Sequence, residues 1–456
     1  MNKKEVCMLG YLSPTHSDKK LLLLSWPILV ELFLRVIIGN INVFMISGYS
    51  EPAVAAVSSS NQLINLTVFI YGFVTVGTQI IIAQLIGAKE HHKINKVIQT
   101  GLFGAFIMGI LISLTFIFFS KQLLSFMNLP TDIVEIGQGY LQFFGGSLIV
   151  SALTAVVIAV LRSHGQTKPA LIIPLVSTIL AVIGNYLALF SPFGFPHLGV
   201  NGLGLSSAIA NTIGLIISFY LLNSCIGYNV AKHNPFNISK KYLGTIFKLG
   251  LPSSGESLSY QASQIVVTII VATLGPTYLI AKSYVQTITQ FVYITANAIA
   301  QGNQIMVGRF VGAKEYEHAF NRAKRSAVLG TLITILLSFI VYLFAEPFMS
   351  IFTSNQEIIE ISKVILLIDI ALETGRSVNM ILVSALNAAG DVKFPLICSL
   401  IALWVISLPF SYLLAIVVKW GLVGVWLAYT IDEGLRSIAM IKRWHSGHWR
   451  NKNVVS

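Results

Sequence analysis

Charge is scarce in this chain: only 11% of its 456 residues are Asp, Glu, Lys or Arg, against about 25% in soluble proteins. Hydrophobic residues make up 55%, and the mean hydropathy is +0.77. A soluble fold of this length would lack the polar surface to cover itself. Cysteine is nearly missing too. Cys7, Cys225 and Cys398 sit at or near the ends of apolar runs, so no disulfide framework is expected. Histidine is absent from the apolar runs: His16, His91, His92, His164, His197, His233, His318, His445 and His448 all fall in loops or tails. No His/Asp/Glu group of metal-ligand spacing lies within a run, and no phosphate-binding glycine loop is followed by Lys and Ser or Thr. These absences argue against an intramembrane enzyme acting on lipids or prenyl groups and against ATP as an energy source.

What is present is a series of apolar stretches of about 20 residues or more, each long enough to cross roughly 30 Å of hydrocarbon. Twelve spans are predicted, near 20–48, 53–85, 96–119, 132–160, 169–190, 203–224, 244–273, 277–307, 322–345, 357–386, 394–418 and 421–441. The runs lack the ten-residue alternation of a membrane barrel, so they are helices. The first is too long for a signal-peptide core and has no small-residue cleavage site, so it stays as a span. The fold class is an all-α polytopic membrane protein.

The chain also repeats itself at an offset of 225 residues without a gap. Pro27, Glu31, Gln79, Gly87-Ala88-Lys89-Glu90, Ser125, Glu135-Ile136, Leu161, Gly165 and Lys168 recur as Pro252, Glu256, Gln304, Gly312-Ala313-Lys314-Glu315, Ser350, Glu360-Ile361, Leu386, Gly390 and Lys393. A period this long marks duplicated bundles rather than a solenoid. The expected domains are a six-helix lobe over 1–225, a cytoplasmic linker over 226–243, a second six-helix lobe over 244–443 and a cytoplasmic tail over 444–456. Six spans per repeat is even, so both lobes enter the membrane from the same side. They should be related by an axis along the membrane normal, with a central cleft between them that opens to either side by rocking. That architecture points to a transporter.

Of the 30 Lys and Arg residues, 23 fall in the termini and in the loops after even-numbered spans, including Lys3, Lys4, Lys89, Lys93, Arg162, Lys168, Lys240, Lys241 and Lys442. Only Lys121, Lys363 and Lys419 belong to the other side. The expectation is a multi-pass protein of the plasma or inner membrane with both termini in the cytoplasm. The net charge of +12 follows from this asymmetry and from anionic lipid, with no role for nucleic acid.

Candidate site residues are the charges placed where they cost most, at least about 2.5–3.5 kcal/mol each at a helix centre. Glu31 lies four residues past Pro27 and four before Arg35, and Asn42 follows in the same span. Glu256 is its repeat mate, four past Pro252, within Ser253-Ser254-Gly255-Glu256-Ser257. Span 10 carries Asp369, Glu373 and Arg376 on one helical face. Span 12 carries Asp432, Glu433 and Arg436, read as a packing network near the inner boundary. Glu31 with Arg35, and Glu373 with Arg376, are equally spaced to form structural ion pairs. Glu256 has no basic residue one turn away, so it must be protonated, paired across helices or bound to a cation. Pro27 and Pro252 free backbone carbonyls near the glutamates, which suits cation coordination, and a kink that only shapes the helix is an equally common use of such prolines. Lys282, near the outer end of span 8, is expected to snorkel.

The Pro27 region, the stretch from Gln79 to Glu90, the Phe195-Pro196-His197-Leu198-Gly199-Val200-Asn201-Gly202 turn, the Lys248-Leu249-Gly250-Leu251-Pro252 entry to span 7 and the Ala388-Ala389-Gly390-Asp391 turn resemble multidrug and toxic compound extrusion (MATE) transporters, from about Lys20 to Arg443. The resemblance implies an antiporter that expels amphipathic, often cationic compounds by taking in Na+ or H+; no other cofactor is expected, and the chain is expected to act as a monomer. Two positions depart from the family pattern. Many members carry an aspartate late in span 1, where this chain has Ile41-Asn42-Val43, and another in span 10, where Arg376 stands. Glu31, Glu256 and Glu373 are the available substitutes, and Arg376 would favour an anion or a zwitterion. The alternatives are a lipid-linked oligosaccharide flippase of the wider superfamily, for which Arg35 and Arg376 are the only obvious central cations, an intramembrane lipid-modifying enzyme, and a channel.

Overall fold

With no water in hydrocarbon to satisfy a backbone amide, each apolar run closes its hydrogen bonds internally. The computed structural model of the chain describes residues 16–127, 129–191, 198–234, 237–452 and 454, and among them there is helix and no strand. Lys3, Lys4, Cys7 and the Phe195-Pro196-His197 part of the turn lie outside the described residues. The first repeat runs α1 (His16–Ser47), α2 (Glu51–Gly87), α3 (His91–Phe126), α4 (Thr131–Gly146), α5 (Leu148–Ser163), α6 (Thr167–Phe190) and α7 (Gly199–Ile226). The second runs α8 (Lys240–Ala272), α9 (Pro276–Gly312), α10 (Tyr316–Leu343), the short α11 (Ala345–Ser350), α12 (Gln356–Ala389), α13 (Lys393–Val417) and α14 (Gly421–His445). Helices α4 and α5 form one span bent by 41°. Twelve spans in two repeats result, as the hydropathy pattern predicts.

The repeat holds at the level of single hydrogen bonds. Helices α2 and α9 each contain 37 residues and end on repeat mates, Gly87 and Gly312. The next turn is the same in both copies. Lys89 (φ 59°) and Lys314 (φ 60°) are left-handed, and the amides of Glu90 and Glu315 return to the carbonyls of Leu85 and Phe310 at 3.0 and 2.9 Å. After α5 and α12, Gly165 and Gly390 take φ 80° and 91°, which only glycine adopts freely.

Two compact units are built from these helices, and they divide at repeat mates rather than at the linker. One is Val30–Ser254; the other joins the residues up to Leu29 to Gly255–Ser456. Helices α1 and α8 are therefore shared, each giving its first half to one unit and its second half to the other. The shared halves are held by matching close approaches of small residues. In the first unit, a Cβ on Gly77 of α2 would collide with the backbone of Ile246 in α8. In the second, a Cβ on Gly302 of α9 would meet Ser25 and Leu21 of α1. Gly302 is the mate of Gly77 and Leu21 the mate of Ile246. At the start of α1, Asp18 takes Arg322 at 2.8 Å and Arg325 at 2.6 Å, both from α10.

Seven helices are long and apolar enough to span by composition alone, or eight with the bent pair. The four that fall short, α8, α9, α12 and α14, all belong to the second repeat. Their windows are diluted by the polar side chains that they bury.

Candidate functional site

In the unit formed by Val30–Ser254, Glu31 is buried on α1, one turn past Pro27. Its principal partner is Arg162, whose guanidinium hydrogen-bonds the carboxylate from the last turn of α5. Arg35 stands further off, 3.5 Å from the other carboxylate oxygen. One acid thus faces two guanidiniums, for a formal charge of +1. Sequence reading assigned Arg162 to a basic loop and missed this pairing. The two residues are 131 positions apart, and no periodicity links them. Asn42 accepts a hydrogen bond from the Asn185 amide of α6 at 3.1 Å, and Ser206 of α7 donates to Asn185. Asn42 is thus part of a neutral amide and hydroxyl chain.

The unit containing Gly255–Ser456 holds the opposite balance. Glu256, the repeat mate of Glu31, accepts a hydrogen bond from Ser399 Oγ of α13 at 2.8 Å. Among the described residues no Lys or Arg forms an ion pair with it. Ser399 and Trp404, which donates to Ser259 at 2.9 Å, come from the stretch of α13 that passes into π-helical turns at Ala402–Ser407 and Leu413–Val417. Pro409 between these turns offers no amide to the ladder, and such irregular windings recur at functional positions.

Beside Glu256, α12 and α14 pack backbone to backbone. A Cβ on Gly375 would stand 3.1 Å from the Glu433 carbonyl carbon. That approach joins two charge groups that the sequence reading kept apart. Arg376 hydrogen-bonds Glu373 in its own helix, and its Nε lies 3.6 Å from Glu433 of α14. Arg436 pairs with Glu433 at 2.8 Å and with Asp432 at 2.7 Å. Asn379 Nδ2 donates to Glu433 at 3.0 Å, and Trp426 Nε1 donates to Asp369 at 3.0 Å. The span 12 residues are therefore a continuation of the span 10 cluster, not a separate boundary network. Four carboxylates, Asp369, Glu373, Asp432 and Glu433, answer two guanidiniums, Arg376 and Arg436. With all four ionised, this deeply buried group would carry a formal charge of −2. Among the described residues, Asp369 Oδ2, Glu373 Oε2 and Asp432 Oδ1 have no hydrogen-bond partner. A carboxylate oxygen left this way calls for a proton or a cation.

Two sequence expectations change. Lys282 does not snorkel: it is buried in α9, and its ammonium donates to Thr268 of α8 at 2.7 Å. Proline has no amide to offer the carbonyl four residues earlier, and the carbonyls at that place are those of Leu23 and Lys248, eight residues before Glu31 and Glu256. At 1.5 Å per residue that is about 12 Å along the axis, too far to share a cation with either acid. Of the two readings of these prolines, that distance favours the one in which they shape the helix.

The family model described as MatE matches residues 27–187 and 252–413, one match in each repeat. The Bacillus subtilis (strain 168) "Uncharacterized transporter YisQ" is 35% identical over 442 residues, covering 97% of each chain. A "Probable multidrug resistance protein NorM" of Thermotoga maritima is 24% identical over 445 residues, covering 96% of this chain and 94% of its own length. Among solved structures, the Vibrio cholerae MATE transporter VcmN in its bent form superposes with a TM-score of 0.87 at 20% identity, covering 96% of this chain and 98% of that one, and so has the same fold.

Proposed function

The chain belongs to the MatE family, the multidrug and toxic compound extrusion transporters, and from that premise we propose that it is a secondary active antiporter exporting amphipathic organic compounds in exchange for H+ or Na+. It is a transporter and not an enzyme. The observation that carries the antiport reading is the surplus of buried carboxylate over guanidinium in the second repeat, with three carboxylate oxygens unpartnered. Uncompensated buried charge is unstable unless a cation joins it. A cation that must be present for one state and absent for another is what couples an ion gradient to transport. Glu256, bonded by a serine and by no base, is the carboxyl most free to change its occupant. No three His, Cys, Asp or Glu side chains converge to hold a metal ion among the described residues. A proton needs only one carboxyl, as Glu256 offers, whereas a sodium ion would have to gather several oxygens, hydroxyl, amide and backbone ones included. Alternating access is supported by helices α1 and α8, each shared between the two units and each carrying a proline two residues before the division. We place the protein in the plasma membrane with both termini in the cytoplasm, working as a monomer. The flippase alternative is not favoured, because Arg376 is committed to Glu373 and Glu433, which leaves Arg35 as a single exposed guanidinium rather than a strongly basic cavity.

The test is gradient-driven transport. Purified protein in liposomes loaded with a fluorescent amphipathic dye should move the dye when a proton gradient alone is imposed. Movement under a sodium gradient only would transfer the coupling to Na+. Movement under neither gradient would sink the antiport reading.

A further inference from the structure

Arg35 sits near the middle of α1, a helix that spans the bilayer over His16–Ser47, yet its side chain is 68% exposed. A guanidinium at that depth is too costly to leave against lipid tails, so an exposed one faces water within the membrane. Its charge is also largely unspent. Glu31 is hydrogen-bonded by Arg162, whose side chain is only 12% exposed, while Arg35 remains at 3.5 Å. Among the described residues no other carboxylate pairs with Arg35. The triad keeps a net positive charge, and Arg35 is the member that presents it to water.

The duplication makes this arrangement informative. The repeat mates of Arg35 and Arg162 are Tyr260 and Asn387, while that of Glu31 is another glutamate. The second copy keeps the acid without the two arginines, so they are a feature of one copy and not a requirement of the shared fold. Arg376, which the sequence alone offered as an anion site, is taken up by Glu373 and Glu433.

We propose that Arg35 receives an anionic group of the transported compound, so that this transporter handles amphipathic acids or zwitterions rather than plain cations. The guanidinium fork matches the two oxygens of a carboxylate, sulfonate or phosphate ester, and Arg162 holds Glu31 away from competing for it. Buried Arg162 sets the positive field, and exposed Arg35 makes the contact. The proposal rests on the transporter reading given above.

A matched pair of dyes separates the two ideas: a rhodamine with a free carboxylate, which is zwitterionic, and its ethyl ester, which is a cation. In proteoliposomes the wild type should transport the free acid in preference to the ester. Arg35→Gln should lower transport of the free acid roughly ten-fold or more and spare the ester, the loss expected when one charge-assisted contact is removed. Arg35→Lys, which keeps the charge without the fork, should fall between. Binding of the free acid by detergent-purified protein gives a second readout. There Glu31→Gln, which removes the competing carboxylate, should tighten binding. Wild-type protein that moves only the ester would overturn the assignment while leaving the transporter reading intact. So would an Arg35→Gln variant that loses both dyes equally or keeps the free acid, or a Glu31→Gln variant that binds the free acid more weakly. If neither dye moves under either gradient, the transporter reading itself fails and this assignment falls with it.

Discussion

A glutamate held by two guanidiniums and its repeat mate held by a serine hydroxyl are different chemical groups, although they occupy equivalent places. Glu31 is paired with Arg162 and Arg35, whereas Glu256 has no Lys or Arg paired with it among the described residues. Glu256→Gln should therefore abolish gradient-driven dye efflux while leaving membrane expression near wild type, because a neutral amide costs less to bury. Undiminished efflux at matched expression would move the coupling role elsewhere in the cluster. Arg376 makes a different prediction. It answers both Glu373 and Glu433, so Arg376→Gln should destabilise the protein by about 3–5 kcal/mol, the cost of stranding a buried partner. Adding Glu373→Gln should recover part of that loss but not all, since Glu433 still lacks one of its two bases. Thermal unfolding in detergent reads both, and an Arg376→Gln variant with wild-type stability would contradict the network. At this scale the sequence displayed Glu31, Glu256, Asp369, Glu373 and Arg376 clearly, because charge inside an apolar run stands out. Arg162 and the bridging role of Glu433 were not legible. Their partners lie 131 and 57 positions away, and only packing brings them together.

Among the elements, the shared helices α1 and α8 carry the most structural information and were the least visible beforehand. Hydrophobic periodicity says which residues avoid water, not which neighbouring helix covers them. In lipid that ambiguity is complete, since the tails are as apolar as a leucine. The signal lay in glycine. Gly77 and Gly302 are repeat mates and both sit under the first half of a shared helix. Gly302→Val should push α1 off α9 and sharply reduce the yield of monodisperse protein on size-exclusion chromatography. Gly39→Ala, on the other half of α1 where nothing lies within 4 Å, should be tolerated. Equal yields for the two variants would show that the close approach of α1 to α9 does not support the fold. The polar windows of α8, α9, α12 and α14 carry a related lesson. The helices that look least like membrane spans are those that hold the charge cluster and its neighbours.

For the molecule as a whole, twelve spans and an even number per repeat were legible because bilayer thickness and backbone hydrogen bonding leave few alternatives. The distribution of lysine and arginine predicts that both termini are cytoplasmic. A cysteine introduced at Ser50 or Ser191 should react with an impermeant thiol reagent added to intact cells, and one at Asn234 should not. Labelling at Asn234 would contradict the cytoplasmic placement of the linker between the repeats. The central claim, however, is that the second repeat holds the coupling ion and the first does not. Proton release on dye binding tests it most directly. Purified protein in weakly buffered detergent should release protons when an amphipathic dye is added. Glu31→Gln should retain that release, while Glu256→Gln should lose it. Release that persists in Glu256→Gln and disappears in Glu31→Gln would contradict the account.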